Sequence, residues 1–156
     1  DMEVIEFKNV VWDMTRRISE CMDGMFRPIS EQYGLTHMQM RILMELWSAE
    51  DSPTIGQLGR TLGMTSGNMS SMCKRLEQEG FLLRVRDLQD ERMVKIALSE
   101  KGKDTVRAID RLAEEKYASC LERLGRERME QVAENLREID ALLRDMLENH
   151  QKGTVE

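Results

Sequence analysis

Apolar residues recur at helical spacing along the first thirty residues of the chain and again along its last third. In the first segment they follow one another at steps of three and four residues: Phe7, Val11, Met14, Ile18, Cys21 and Met25. This period places them on one face of an amphipathic helix. We expect that helix to end at Pro28, because the residue before a proline resists the α conformation. Two further stripes, separated by Gly125, predict two long C-terminal helices.

Shorter helices are predicted between these stripes. Thr36 and Thr54 each open a T-x-x-Q sequence, the form of a capping box in which the two ends satisfy each other's free amides. Gly63 ends the helix that begins at Thr54, and a further helix spans residues 66–79 before Gly80. Two short helices joined by a glycine-containing turn form the helix-turn-helix pattern.

After Gly80 the apolar period changes from 3.6 to 2. Residues 81–86 and 93–98 alternate as half-buried strands do, and a polar turn separates them. A β-hairpin directly after a helix-turn-helix is a wing. The predicted fold class is therefore mainly α with a small β-hairpin wing: a winged helix-turn-helix joined to a helical dimerisation region.

The predicted domain organisation follows from these elements. A winged helix-turn-helix domain occupies 35–99, a helical dimerisation region combines 1–34 with 100–150, and a patternless tail, expected to be disordered, occupies 151–156. The apolar stripes are long for so small a chain, so we expect a symmetric homodimer to bury them. An intramolecular bundle without a partner is the alternative.

The charge is distributed unevenly. The 156 residues carry a net charge of −6, which by itself argues against nucleic acid as a partner. Residues 54–103, however, contain nine basic and six acidic side chains, a net +3, and leave −9 for the rest of the chain. Because phosphate binding needs a local positive potential rather than a positive total, the winged segment remains a candidate for binding DNA.

Several other functions are disfavoured by missing motifs. The two histidines lie far apart and no C-x-x-C occurs, so neither a metal site nor a cofactor is expected. No G-x-S-x-G, P-loop, G-x-G-x-x-G or H-E-x-x-H motif supports an enzyme. No run of about 18 apolar residues suits a membrane span, and the expected location is the cytoplasm.

Several short motifs then carry a resemblance to a known family. They are L-G at 58–59, L-G-M at 62–64, R-L-E at 75–77, R-D-L-Q-D-E-R at 86–92 and V-K-I-A-L-S-E-K-G at 94–102. In combination they resemble the MarR family of bacterial transcriptional regulators. The resemblance implies a winged-helix homodimer that binds a pseudopalindromic double-stranded DNA operator, usually as a repressor. It also implies a recognition helix in the major groove and a wing arginine in the minor groove.

Carried onto this sequence, the resemblance gives a candidate DNA-binding set. Base edges would be contacted from the start of the recognition helix, and phosphates by the basic residues further along it. Arg92 would be the wing-tip contact, with Asp90 as its partner. The complete set is Thr65, Ser66, Asn68, Ser70, Ser71, Lys74, Arg75, Arg84, Arg86, Asp90 and Arg92. The alternative is an ordinary solvated surface, with Asp90 and Arg92 as a weak turn-stabilising pair.

The resemblance also implies an effector, often a small aromatic or phenolic molecule. Its candidate binding residues on the first two helices are Trp12, Met22, Phe26, Met40, Met44 and Trp47, although each of them could instead be a core side chain. A redox-responsive regulator is a second possibility, but Cys73 and Cys120 fall on apolar stripes as packing residues do. A winged-helix module that binds protein rather than DNA is the third.

Overall fold

The computed structural model describes residues 2–152, which form a mainly helical chain with a single two-stranded sheet. In chain order the elements are α1 (Val4–Glu31), α2 (His37–Ser48), α3 (Ile55–Leu62), α4 (Ser66–Gln78), β1 (Leu82–Arg86), β2 (Val94–Leu98), α5 (Glu100–Leu124) and α6 (Arg126–Lys152). The predicted fold class, mainly α with a small β-hairpin wing, is therefore confirmed. The chain divides within α5 into two compact units, one ending at Ala113 and the other beginning at Glu114.

Helix α1 continues three residues beyond Pro28, so its predicted end at the proline is wrong. A proline removes one backbone hydrogen bond and crowds the preceding turn. Here the last turn is held by tertiary burial, because Ile29 and Ser30 are 2% and 0% exposed. The Ser30 hydroxyl also donates to the Arg27 carbonyl at 3.1 Å. The chain turns at Gly34, whose φ is 66°.

Helices α2, α3 and α4 each have a threonine as N-cap. Thr36 and Thr54 form the two predicted capping boxes, and the Thr65 hydroxyl accepts from the Asn68 amide at 3.3 Å. None of these three helices has an acidic residue in its first turn. The predicted helix end at Gly63 is confirmed by its left-handed φ of 68°.

The core of the first unit lies between α2, α3, α4, the hairpin and the start of α5. Its most buried apolar side chains, each at most 1% exposed, are Ile42, Leu43, Leu58, Met69, Cys73, Leu76, Ile96, Val106 and Ile109. Gly59 lets α3 approach the following turn, because an added Cβ would lie 2.9 Å from the Met64 carbonyl oxygen. This close approach places α4 directly against α3.

The hairpin and α5 are joined by a compact junction. Strands β1 and β2 pair antiparallel, with Leu82 opposite Leu98 and Arg86 opposite Val94. The Ser99 amide donates to the Phe81 carbonyl at 3.0 Å, and the Ser99 hydroxyl accepts from the Gly102 amide at 3.0 Å. Ser99 therefore caps α5 and ties the helix back to the base of the wing.

Several apolar stripes remain uncovered in the single chain. On α1 the exposed large apolar residues include Val10, Trp12, Met14, Ile18 and Met22, and on α6 they include Val132, Leu136, Ile139, Leu143 and Met146. Cys120, expected to pack, is exposed. Helix α6 extends two residues into the segment expected to be a disordered tail, and 153–156 lie outside the described residues. No described helix is long and apolar enough to cross a membrane.

Candidate nucleic-acid interface

One face of α4 is polar and open to solvent, while the opposite face packs into the core. Met69, Cys73 and Leu76 are at most 1% exposed and fix the rotation of the helix about its axis. The candidate base-contacting residues on the other face are all exposed: Thr65, Ser66, Asn68, Ser70 and Ser71. Small hydroxyl and amide groups near a helix N-terminus can exchange hydrogen bonds with base edges and phosphates.

The two basic residues of α4 differ in their surroundings. Arg75 donates from Nε to Glu79 Oε1 at 3.2 Å, on the surface of the last helical turn. Lys74 is exposed and forms no ion pair with the rest of the described chain. Lys74 is therefore the more available phosphate ligand of the pair, whereas Arg75 would have to leave or share its carboxylate partner.

The wing turn is organised by two carboxylates. Asp90 accepts from the backbone amide of Arg92 at 3.0 Å, so its contact with Arg92 is to the backbone and the guanidinium stays exposed. Asp87 accepts from the Gln89 amide at 2.9 Å and lies 3.3 Å from the Lys95 ammonium. The Gln89 hydrogen bond, followed by Lys95, lowers the pKa of Asp87. Sequence reasoning missed the Asp87–Lys95 pair.

The three wing arginines differ in whether they form an ion pair within the protein. Arg86 and Arg92 are exposed and have no ion-pair partner in the part of the chain that the structure describes. Arg84, also predicted to contact DNA, instead donates from Nε to Glu77 Oε2 on α4 at 2.6 Å. The structure therefore leaves two wing arginines available to a partner molecule and directs the third one back onto the protein.

A separate open cavity lies in the first unit between α1, α2 and the early part of α5. Its volume is about 560 Å³, and it is lined by four of the six residues predicted to bind an effector: Met22, Phe26, Met40 and Met44. The other two predicted residues lie elsewhere. Trp12 is 69% exposed, and Trp47 lies under the Arg107 guanidinium at 5.2 Å. Met40 is also a core residue, only 3% exposed.

Polar groups also line this cavity, and sequence reasoning missed them: Thr15, Ser19, His37, Arg41 and Asp110. Partial burial in the cavity wall raises the pKa of Asp110. His37 Nδ1 lies 3.2 Å from Asp23 Oδ1, within ion-pair distance if the imidazole is protonated. Asp110 lies about seventy residues away from α2 in sequence, so no local motif could have indicated its place. Among the described residues no cluster of potential ligands suits a metal ion.

A known protein family matches the part of the chain that carries these elements. The family model described as "Transcriptional regulator SarA/Rot" matches residues 24–109, which is more than half of the chain. The chain belongs to the SarA/Rot family. The match covers the helix-turn-helix, the wing and the start of α5. The predicted MarR-type regulator is thereby confirmed, and so is the prediction that the protein is not an enzyme.

Individual relatives of this SarA/Rot protein are regulators as well. It is 36% identical over 81 residues to the organic hydroperoxide resistance transcriptional regulator of Bacillus subtilis, an alignment covering 52% of this chain and 54% of that protein. The chain thus spans about half the length of the curated relatives it matches.

Solved structures of a second regulator are also similar. MepR, a transcription regulator of the Staphylococcus aureus multidrug efflux pump MepA, is 26% identical with a TM-score of 0.64, over 83% of this chain and 96% of that one. The S. aureus MepR–DNA complex gives 26% identity and a TM-score of 0.65, over 82% and 94% of the two chains. The SarA/Rot chain therefore shares its fold with a regulator whose structure on DNA is known.

Proposed function

We propose that this protein is a ligand-responsive transcriptional regulator that binds a pseudopalindromic operator as a homodimer and acts as a repressor. Helix α4 enters the major groove, and the wing carries Arg92 into the minor groove. The observation that carries the proposal is the presence of one exposed polar helix face and two unpaired arginines on adjacent elements of a winged-helix fold. Such a regulator acts in the bacterial cytoplasm.

Removal of the Arg92 guanidinium tests the DNA-binding mode. Arg92→Ala should weaken operator binding about tenfold and lower the salt slope by about one, because one cation no longer displaces counterions. Arg111→Ala, which removes an exposed arginine from α5, is the matched control and should leave both quantities unchanged. The assay is fluorescence anisotropy over a range of KCl concentrations. Equal affinities for the wild type and Arg92→Ala would refute the wing contact.

The protein-binding alternative is tested in the same titration. A winged-helix module that binds only protein would show no salt-dependent affinity for any duplex. A DNA regulator shows a logarithmic fall in the binding constant with logarithmic salt. Loss of affinity with rising KCl would therefore favour the operator-binding proposal.

A homodimer is supported by the uncovered apolar residues of α6. Leu136 is 51% exposed and Leu143 is 38% exposed in the single chain, on a helix whose residues 126–150 are all at least partly exposed. Monomeric proteins rarely expose long apolar stripes, and a second copy would cover them. Sedimentation should give twice the chain mass of 18.2 kDa. Leu136→Asp should shift the protein toward monomer, whereas Asn135→Asp should not; a monomeric wild type would overturn the proposal.

An effector site is supported by the cavity between α1, α2 and α5. Flexible methionines and Phe26 form an adaptable apolar wall, which suits a small aromatic or phenolic molecule. A panel of phenols and benzoates should raise the melting temperature and release the operator. Met22→Trp would fill the cavity and abolish both effects. Met14→Trp changes a similarly exposed methionine of α1 outside the cavity and should preserve them.

A redox-responsive regulator is the second candidate. The observation favouring it is the exposed Cys21 thiol on α1, together with the printed name of the B. subtilis relative. Treatment with an organic hydroperoxide should then reduce operator binding by the wild type but not by Cys21→Ser. If both proteins respond equally, Cys21 is not the sensor.

A further inference from the structure

One ion pair connects the candidate recognition helix to the wing. Arg84 lies in the middle of β1 and Glu77 in the last turns of α4, and Arg84 Nε donates to Glu77 Oε2 at 2.6 Å. The other ion pairs of the described chain join residues of one helix, residues of the hairpin, or α1 to α2. The Arg84–Glu77 pair is therefore the only charged link between α4 and β1 within residues 2–152.

Strand geometry explains why Arg84 reaches α4. Alternate side chains of a strand share a face, so Arg84 lies on the same face as the buried Leu82. It pairs across the sheet with Ile96, which is 1% exposed. The side chain of Arg84 thus starts above the core and passes over it to the helix, away from the outer face of the hairpin.

The buried Cys73 thiol lies beside this ion pair. Cys73 is buried one helical turn before Glu77. Burial raises the pKa of its thiol to about 11, and the charges of Arg84 and Glu77 act on it in opposite directions. Both charged groups therefore lie close to this buried sulfur, at the point where α4 and β1 pack together.

We propose that Arg84 is a positioning residue, not a DNA contact, and that its bond to Glu77 fixes the orientation of the wing relative to the recognition helix. This inference rests on the proposed operator binding. The chain between α4 and β1 is short and passes through Gly80, whose φ is 85°. The Arg84–Glu77 ion pair is a second connection between α4 and β1, and it sets the angle at which Arg92 approaches the minor groove.

The test uses full-length protein and a duplex that the wild type selects from a random DNA library. The variants are Arg84→Met, Glu77→Gln, the charge reversal E77R/R84E, and Arg92→Ala alone and combined with Arg84→Met. Arg86→Met is the control for a wing arginine without an ion-pair partner. Affinity is measured by fluorescence anisotropy over a KCl series, and thermal melts confirm that each variant is folded.

Whether Glu77→Gln strengthens or weakens DNA binding is the first result that tests the proposal. Removing a carboxylate from a DNA-binding face should strengthen binding if Glu77 merely masks Arg84. If Glu77 holds Arg84 in a positioning role, Glu77→Gln and Arg84→Met each weaken binding about fivefold with the wild-type salt slope. The reversal E77R/R84E then recovers most of the loss. Stronger binding by Glu77→Gln, or a lower salt slope for Arg84→Met, would overturn the proposal.

The double variant of Arg84→Met and Arg92→Ala distinguishes a positioning role of Arg84 from a purely stabilising one. If Arg84 orients the wing, losing Arg92 matters less once Arg84 is gone, so the two losses combine less than additively. A purely stabilising pair would lower the melting temperature and leave the Arg92 loss unchanged. Additive losses would therefore overturn the positioning role alone, while failure of the wild type to enrich any duplex would overturn operator binding itself.

Discussion

The substitution Gly102→Ala should destabilise the protein, although alanine is the better helix former. Gly102 is buried in the first turn of α5, against the base of the wing. A Cβ added there would overlap the backbone carbonyl oxygen of Phe81 and lie 3.1 Å from Leu98 Cδ2. The Phe81 carbonyl cannot move freely, since it accepts from the Ser99 amide at 3.0 Å.

Two opposing contributions set the change in the free energy of unfolding that Gly102→Ala causes. Replacing glycine by alanine within a helix gains about 1 kcal/mol. Overpacking a rigid core site costs about 1–3 kcal/mol, and the upper part of that range applies because the obstructing atom belongs to the backbone. We therefore expect a net loss of about 1–2 kcal/mol in the free energy of unfolding.

Urea unfolding followed by circular dichroism measures this difference, with all variants at one protein concentration because a dimer's stability depends on it. Gly67→Ala is the matched control. Gly67 is exposed on α4 and an added Cβ there meets nothing within 4 Å, so the same exchange should stabilise the protein. A Gly102→Ala variant as stable as the wild type would refute the packing argument at this junction.

Three further predictions concern the thiols, the caps and the last helix. Because burial raises the pKa of Cys73 from 9.0 to about 11, the unfolded chain ionises first, so the free energy of unfolding should fall as the pH rises from 9 to 11. Urea titrations of Cys73→Ala should show a shallower fall; an equal slope would contradict it. Thr65→Ala should lower the free energy of unfolding by about 1 kcal/mol while Thr65→Ser does not, and equal effects of both would refute the cap. A chain ending at Leu124 should sediment as a monomer, and a well-folded dimer without α6 would disprove the proposed interface.

Local signals account for what the sequence predicted well. Three features depend only on neighbours within a few residues: the capping boxes at Thr36 and Thr54, the left-handed conformation of Gly63, and the two-residue period of the hairpin. The end of α1 was predicted wrongly because burial of Ile29 outweighs the local effect of a proline. That burial comes from the tertiary fold and leaves no local pattern.

In the candidate sites, too, local features could be predicted from the sequence and features that depend on tertiary packing could not. The exposed face of α4 follows from helical periodicity, since Met69, Cys73 and Leu76 define the buried side. The partner of Arg84 had a weak signal, because alternation along β1 puts Arg84 on the inward face with Leu82. The place of Asp110 in the cavity wall could not be predicted, because it depends on how helices distant in sequence pack.

The neutral threonine caps have a consequence for engineering this fold. A helix N-terminus carries roughly half a positive charge from its aligned peptide dipoles, and acidic residues in the first turn usually offset it. Helix α4 has a Thr65 cap and no first-turn acid, so that partial charge faces outward uncompensated on a chain of net charge −6. Adding acidic residues there, a standard route to thermostability, would strengthen the helix and repel phosphate. If α4 binds the operator as proposed, a more stable helix start would come with a lower operator affinity.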